Sequence, residues 1–258
     1  MLYQQIKYIN FLLKSSNQHG VHSPFVYKLV TNCLYKKTVK KKWHKFIYTK
    51  QQLLDNKKSI KVTDFGAGSK VFKSNCREVS KIIKIAGISN KKAKLLIKIT
   101  SYFKPKSSLE IGTSLGLGTT AIKIANENSN IVTLEGCPET SKVASKLFTN
   151  NNFNNIDVIV GDFQKTLPKI VQNKQYDFIY FDGNHTKKAT LDYFKTCLGS
   201  IHNDSYFIFD DIYWSKEMHE AWQEIKNNAA VKVTVDLFYF GIVFFRKEQE
   251  KEHFKIRV

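Results

Sequence analysis

Two acidic segments stand at the ends of apolar runs late in the chain: Phe181-Asp182-Gly183-Asn184-His185 and Phe209-Asp210-Asp211. Carboxylates gathered at neighbouring strand ends repel one another unless a cation or a proton donor sits among them. Asp182, Asp210 and Asp211 would be hard oxygen ligands suited to Mg²⁺ or another divalent cation. A cation held there would lower the pKa of a coordinated hydroxyl and orient it. His185, three positions after Asp182, adds a side chain able to take a proton. The alternative is structural. Asp182 could cap the helix that follows, Asp211 could cap one beginning near Ser215, and His185 could be a hydrogen-bonded loop residue.

A second set of residues lies upstream. Leu109-Glu110-Ile111-Gly112-Thr113-Ser114-Leu115-Gly116-Leu117-Gly118-Thr119 has the form of a strand, a glycine-rich turn and a helix start. Gly112 lets the chain turn tightly at the strand's end, and Gly116 and Gly118 allow close approach of a ligand and of the helix. Glu135 ends the next apolar run, Val132-Thr133-Leu134, and Gly161-Asp162-Phe163 ends the one after it. An acid at the second strand end can accept hydrogen bonds from both ribose hydroxyls of a nucleotide-like ligand. A competing glycine segment, Asp64-Phe65-Gly66-Ala67-Gly68-Ser69, is followed by no strand ending in an acid at the needed distance. It reads as a structural turn or a lid.

The elements that must position these residues alternate. Short apolar strands are expected at 108–111, 131–134, 156–160, 176–181 and 206–209. Helical stretches are expected at 119–127, 139–150, 163–171, 187–200 and 215–227. Such crossovers imply a parallel sheet. Residues 231–237 and 239–246 have almost no room between them and must pair as an antiparallel hairpin. The charged tail from Lys247 is expected to fray or form a short helix. Residues before Pro105 read as mainly helical, with helices expected at 24–35, near 79–86 and at 93–103.

These segments, LEIGTSLGLGT, TLEGCPE, GDF, YDFIYFDGNHTKKATLDYF and YFIFDDIYW, resemble the Rossmann-like (class I) S-adenosylmethionine-dependent methyltransferases. The FDGNH and FDD segments are similar to the metal-dependent O-methyltransferases related to catechol O-methyltransferase. The resemblance covers about residues 90–246. It implies a mostly parallel Rossmann-like sheet with an antiparallel C-terminal hairpin. It implies a methyltransferase domain over 91–258, preceded by a helical, basic extension over 1–90. For the cofactor it implies Glu110, Gly112, Thr113, Ser114, Gly116, Gly118 and Thr119 around the methionine end. Glu135 with Gly136 would serve the ribose, Asp162 with Phe163 the adenine, and Asp182 the reacting end. His185 matches the position from which a base acts, with Asp182 beside it. A divalent ion would be held by Asp182, Asp210 and Asp211; relatives often carry an acid and an Asn where this chain has two Asp. No Asn-Pro-Pro-Tyr segment of the kind used to methylate exocyclic amines is present.

The charge adds a second partner class. The net charge is +19, and residues 1–106 carry 24 Lys or Arg against 3 Asp or Glu. Such a field attracts polyanions, although nearly all the basic residues are Lys and a genome-wide composition bias gives the same signal. The expected substrate is a small hydroxylated acceptor. RNA gripped by the basic region is the alternative, and a non-catalytic S-adenosylmethionine-binding module is a third. The N-terminal helices could form a lid, a polyanion grip or the interface of a homodimer. Apolar residues make up 42% of the chain, which rules out wholesale disorder. Four cysteines without a CxxC pair argue against a disulfide scaffold or zinc finger. No segment reads as a leader or as a membrane span, so no membrane insertion and a cytoplasmic setting are expected.

Overall fold

A computed structural model describes residues 2–63 and 74–258. In chain order the elements are α1 (Leu2–Lys14), α2 (Pro24–Leu29), α3 (Lys40–Leu54), β1 (Ser59–Lys61), β2 (Cys76–Glu78), α4 (Val79–Ala86), α5 (Asn90–Phe103) and β3 (Ser107–Ile111). There follow α6 (Leu117–Ala125), β4 (Asn130–Glu135), α7 (Pro138–Asn150), β5 (Ile156–Val160), α8 (Phe163–Val171), β6 (Phe178–Phe181) and α9 (Lys187–Cys197). The chain ends with β7 (Tyr206–Asp210), α10 (Lys216–Asn227), β8 (Val233–Asp236), β9 (Phe240–Phe244) and β10 (Glu252–Lys255). The Asp64–Ser69 segment lies outside the described residues.

The chain forms two compact units. One joins the first 36 residues to residues 167–258, and the other is residues 37–166. The basic N-terminal stretch is thus shared between them: α1 and α2 belong to the first unit, and α3, α4 and α5 to the second.

In the second unit β3, β4 and β5 run parallel, with Glu110 opposite Thr133 and Glu135 opposite Val160. The helices between them are set by local signals. Ser89 caps α5 by accepting from the Lys92 N–H, and a left-handed Lys104 before Pro105 ends it. All nine residues of α6 are buried, including Lys123, whose ammonium donates to the Ser129 carbonyl at 2.9 Å. The Lys-rich stretch before residue 58 folds as α3 because Phe46, Thr49 and Leu53 recur at helical spacing and are buried. The antiparallel pair β1–β2 has no counterpart in the sequence reading. Three-residue strands carry too little alternation to be seen.

In the first unit the order is β10-β8-β9-β7-β6. β6 and β7 are parallel, and β9 runs antiparallel to both β7 and β8, as the short connection required. The tail differs from expectation. Residues 252–255 form an edge strand parallel to β8, and Ile256 is fully buried beyond it. Its side chains are mostly polar because an edge strand buries little, so no apolar run announces it. The Ser16 N–H donates to the Lys255 carbonyl at 2.8 Å, which ties the N-terminal segment to the same edge. The core here is aromatic: Phe181 stacks on Phe209 at 4.2 Å, and Trp222 of α10 lies 6.3 Å from Phe209.

Trp222 also explains Gly241 in β9. A Cβ there would come within 2.7 Å of the indole ring. Gly241→Ala is therefore expected to destabilise the fold by about 1–3 kcal/mol through overpacking. A denaturant melt checks this, and an unchanged midpoint would contradict it.

Candidate active site

Glu110 is the last but one residue of β3 and is fully buried. Its Oε2 accepts from the hydroxyl of Thr133 on β4 at 2.6 Å and from the hydroxyl of Thr119 on α6. Thr113 extends the chain of hydroxyls, 2.6 Å from Thr133. Oε1 is buried and meets no partner. Burial pushes the Glu110 carboxyl up to about 7, against the pull of the two hydroxyl donors. Thr133, in mid-strand, was not singled out by sequence reasoning. A Thr placed two residues before a strand-ending acid is the signal that could have marked it.

The turn after β3 uses left-handed backbone at Gly112 (φ 106°), Ser114 (φ 48°) and Gly116 (φ 85°). Both the Gly112 and Thr113 N–H groups donate to the Leu134 carbonyl, at 3.0 and 2.9 Å. Glu135, at the end of β4, closes the arrangement. Its Oε2 accepts from the Ser114 N–H at 2.6 Å and its Oε1 from the Cys137 N–H at 2.9 Å. Burial raises its pKa, and the backbone donors from Cys137 and Ser114 oppose this. Gly116 precedes α6 without a side-chain cap, so Gly118 and Thr119 sit in a buried, uncapped first turn. Such a turn presents N–H groups and a positive dipole end to an anion. Gly136 follows Glu135 directly. Asp162 accepts from the Gln164 N–H at 3.0 Å and so opens α8, with Phe163 as its first residue.

The other predicted residues belong to the first unit. Asp182 follows β6, and its Oδ1 lies 3.7 Å from His185 Nε2, both side chains about one quarter exposed at 25% and 26%. The cap of α9 is Thr186, which accepts from the Ala189 N–H, and the cap of α10 is Ser215, which accepts from Met218 N–H. The capping alternatives for Asp182 and Asp211 therefore do not hold. Asp210 ends β7 and is buried. Its Oδ2 accepts from the Tyr180 hydroxyl at 3.3 Å and its Oδ1 from the Asp211 N–H at 2.8 Å. Asp211 adopts a left-handed φ of 54°. Among the described residues no group of three or more His, Cys, Asp or Glu side chains is placed to hold a metal ion. Asp210 thus accepts one donor on each oxygen, and Asp182 stands at the end of the adjacent strand β6.

Tyr213 is buried. It stacks on Phe238 at 4.8 Å and on His219 at 4.7 Å, and its hydroxyl donates to Asp236 Oδ2 at 2.6 Å. His219 is held well below the usual histidine range, at about 4, mainly by burial. Trp214 remains 48% exposed. His19 lies in an exposed turn beside Gln18.

Residues 109–212 match the family model of a methyltransferase domain. The fold is that of solved methyltransferases. One, from Podospora anserina with S-adenosylhomocysteine bound, superposes with a TM-score of 0.59 at 14% identity, over 88% of this chain and 97% of that one. Another, an O-methyltransferase from Bacillus cereus in complex with S-adenosylhomocysteine, gives 0.55 at 17% identity, over 85% and 97%. A protein-L-isoaspartate O-methyltransferase from Methanococcus maripaludis is 33% identical over 73 residues, 28% of this chain. The aligned stretch spans 33% of that relative's length.

The buried Glu110 makes a prediction about pH. A carboxyl whose folded pKa is raised holds its proton longer in the folded state, so stability falls as pH rises from about 4.5 to about 7. Glu110→Gln removes that loss. Its melting temperature is expected to exceed that of the wild type at pH 8 and to match it near pH 4. Parallel pH profiles for the two proteins would refute the assignment.

Proposed function

With residues 109–212 forming a methyltransferase domain, we propose that this chain transfers the methyl group of S-adenosylmethionine to an oxygen of a small hydroxylated acceptor. The observation that carries the reading is the carboxylate pair at the ends of β3 and β4. Glu110 Oε1 is buried without a partner, and Glu135 already grips the glycine turn. S-adenosylmethionine carries one carboxylate, two cationic centres and a ribose diol. The uncapped first turn of α6 suits the carboxylate. Glu110 suits a cation or a donor, because pairing its orphaned oxygen relieves a buried charge. Glu135, a carboxylate acceptor at the end of β4, suits the hydroxyl donors of the ribose diol.

When bound, the cofactor supplies a methyl group already activated by the sulfonium. What the chain must add is alignment and removal of one proton. With the cofactor held by the Glu110 and Glu135 turns, it would supply the methyl group, and His185 would take the proton that the acceptor oxygen gives up. Asp182, whose Oδ1 lies 3.7 Å from His185 Nε2, would orient that imidazole. The names of the Bacillus cereus and Methanococcus maripaludis proteins both specify an oxygen acceptor, which supports the same choice of atom here.

His185→Gln and Asp182→Asn are each expected to lower kcat by about 10²–10⁴-fold, the usual range for a general base. The dissociation constant for S-adenosylmethionine should stay within about twofold. Titration calorimetry and single-turnover assays separate the two effects. Unchanged turnover in both variants would remove the proposed base, and loss of cofactor binding would reassign Asp182 and His185 to the binding site.

A further inference from the structure

Helix α1 has two apolar faces. The inner one is occupied: Phe11 is buried, Tyr8 meets the Phe238 ring edge-on at 4.8 Å, and Phe11 lies 5.6 Å from the same ring. Among the described residues the outer face is exposed. Leu2, Ile6, Ile9 and Leu13 are 72%, 50%, 58% and 79% exposed. Isolated apolar residues on a surface need no explanation, but four in one row do.

We propose that this row is the seam of a homodimer, in which α1 pairs antiparallel with α1 of a second copy. The spacing is four, three and four residues, which is the alternation of a two-helix seam. At 100° per residue the four side chains span an arc of about 60°. That is the width of a helix-to-helix seam, and narrower than the broad face that a helix lying on a lipid surface presents.

The row is also palindromic: Leu, Ile, Ile, Leu at symmetric spacing. A two-fold axis between positions 7 and 8 brings Leu2 against Leu13 of the second copy and Ile6 against Ile9. A two-fold contact requires this self-complementarity, since the same patch serves both partners. The charges agree. Gln5 and Asn10 flank the row, and both are neutral and exposed in a chain of net charge +19. Lys7 and Lys14 project more than about 80° from the row's centre, so the two copies face no like charges across the seam. Anchoring by Tyr8 and Phe11 presents the outer face on a fixed element, which lowers the ordering cost of association.

The test uses the full chain. Sedimentation velocity from 1 to about 200 μM should show the wild type moving to twice the chain mass. Ile6→Glu/Ile9→Glu should remain a single chain throughout, with the wild-type circular dichroism and the melting temperature that the wild type shows when dilute, because both positions are exposed in one copy. A cross-linking arm fixes the geometry in a Cys76→Ser background, which removes the exposed native thiol. Mixed Ile6→Cys and Ile9→Cys chains should join under oxidation at least tenfold faster than either variant alone. A wild type that stays monomeric, or a double-Glu variant that still dimerises, overturns the proposal. So does faster joining of each single variant with itself, which would mean a parallel pair. Binding of a monomeric wild type to vesicles of anionic phospholipid would assign the row to a membrane surface instead.

Discussion

The bond from the Ser114 N–H to the Glu135 carboxylate joins the two features on which the site depends. Ser114 is a non-glycine residue in left-handed backbone, a conformation that costs about 1–2 kcal/mol unless something holds it. A hydrogen bond to a charged group offsets about that much. The bond closes the glycine turn onto the end of the neighbouring strand. It also keeps the Glu135 carboxylate in one orientation. The Cys137 N–H holds the other oxygen, so the acid is fixed from both sides. In the proposed function such an acid would meet a ribose with little ordering left to be done on binding.

Beneath that turn lies a second carboxylate under a different constraint. Glu110 is out of water and leans on threonine hydroxyls rather than on a cation. The protein tolerates this because the carboxyl can take up a proton near neutrality. Two acids on adjacent strands thus stand in different settings: one is braced by backbone donors and half-buried, and the other is fully buried on threonine hydroxyls. Their separation follows from the parallel register, which puts Glu110 opposite Thr133 and leaves Glu135 beyond the end of β3.

The sequence makes much of this arrangement legible. The strand–glycine–helix pattern and the acid at 135 are local signals, and both appear where expected. The short link between β8 and β9 forced their antiparallel pairing. What stayed hidden is of three physical kinds. Edge strand β10 and the pair β1–β2 bury too little to show alternation. The orientation of Asp210, turned toward Tyr180 and its own neighbour, is decided by side-chain torsions that spacing does not encode. Helix α1 falls in the stretch read only as mainly helical. Its exposed second face became visible once Tyr8 and Phe11 were seen to supply the buried contact.

The central claim is that Glu135 and the turn it braces bind S-adenosylmethionine. Calorimetric titration of Glu135→Gln, which keeps the shape and removes the charge, tests it most directly. The account predicts a dissociation constant at least about tenfold weaker than that of the wild type, or about 1.4 kcal/mol, with the fold intact by circular dichroism. Affinity equal to that of the wild type in a folded Glu135→Gln protein would contradict it.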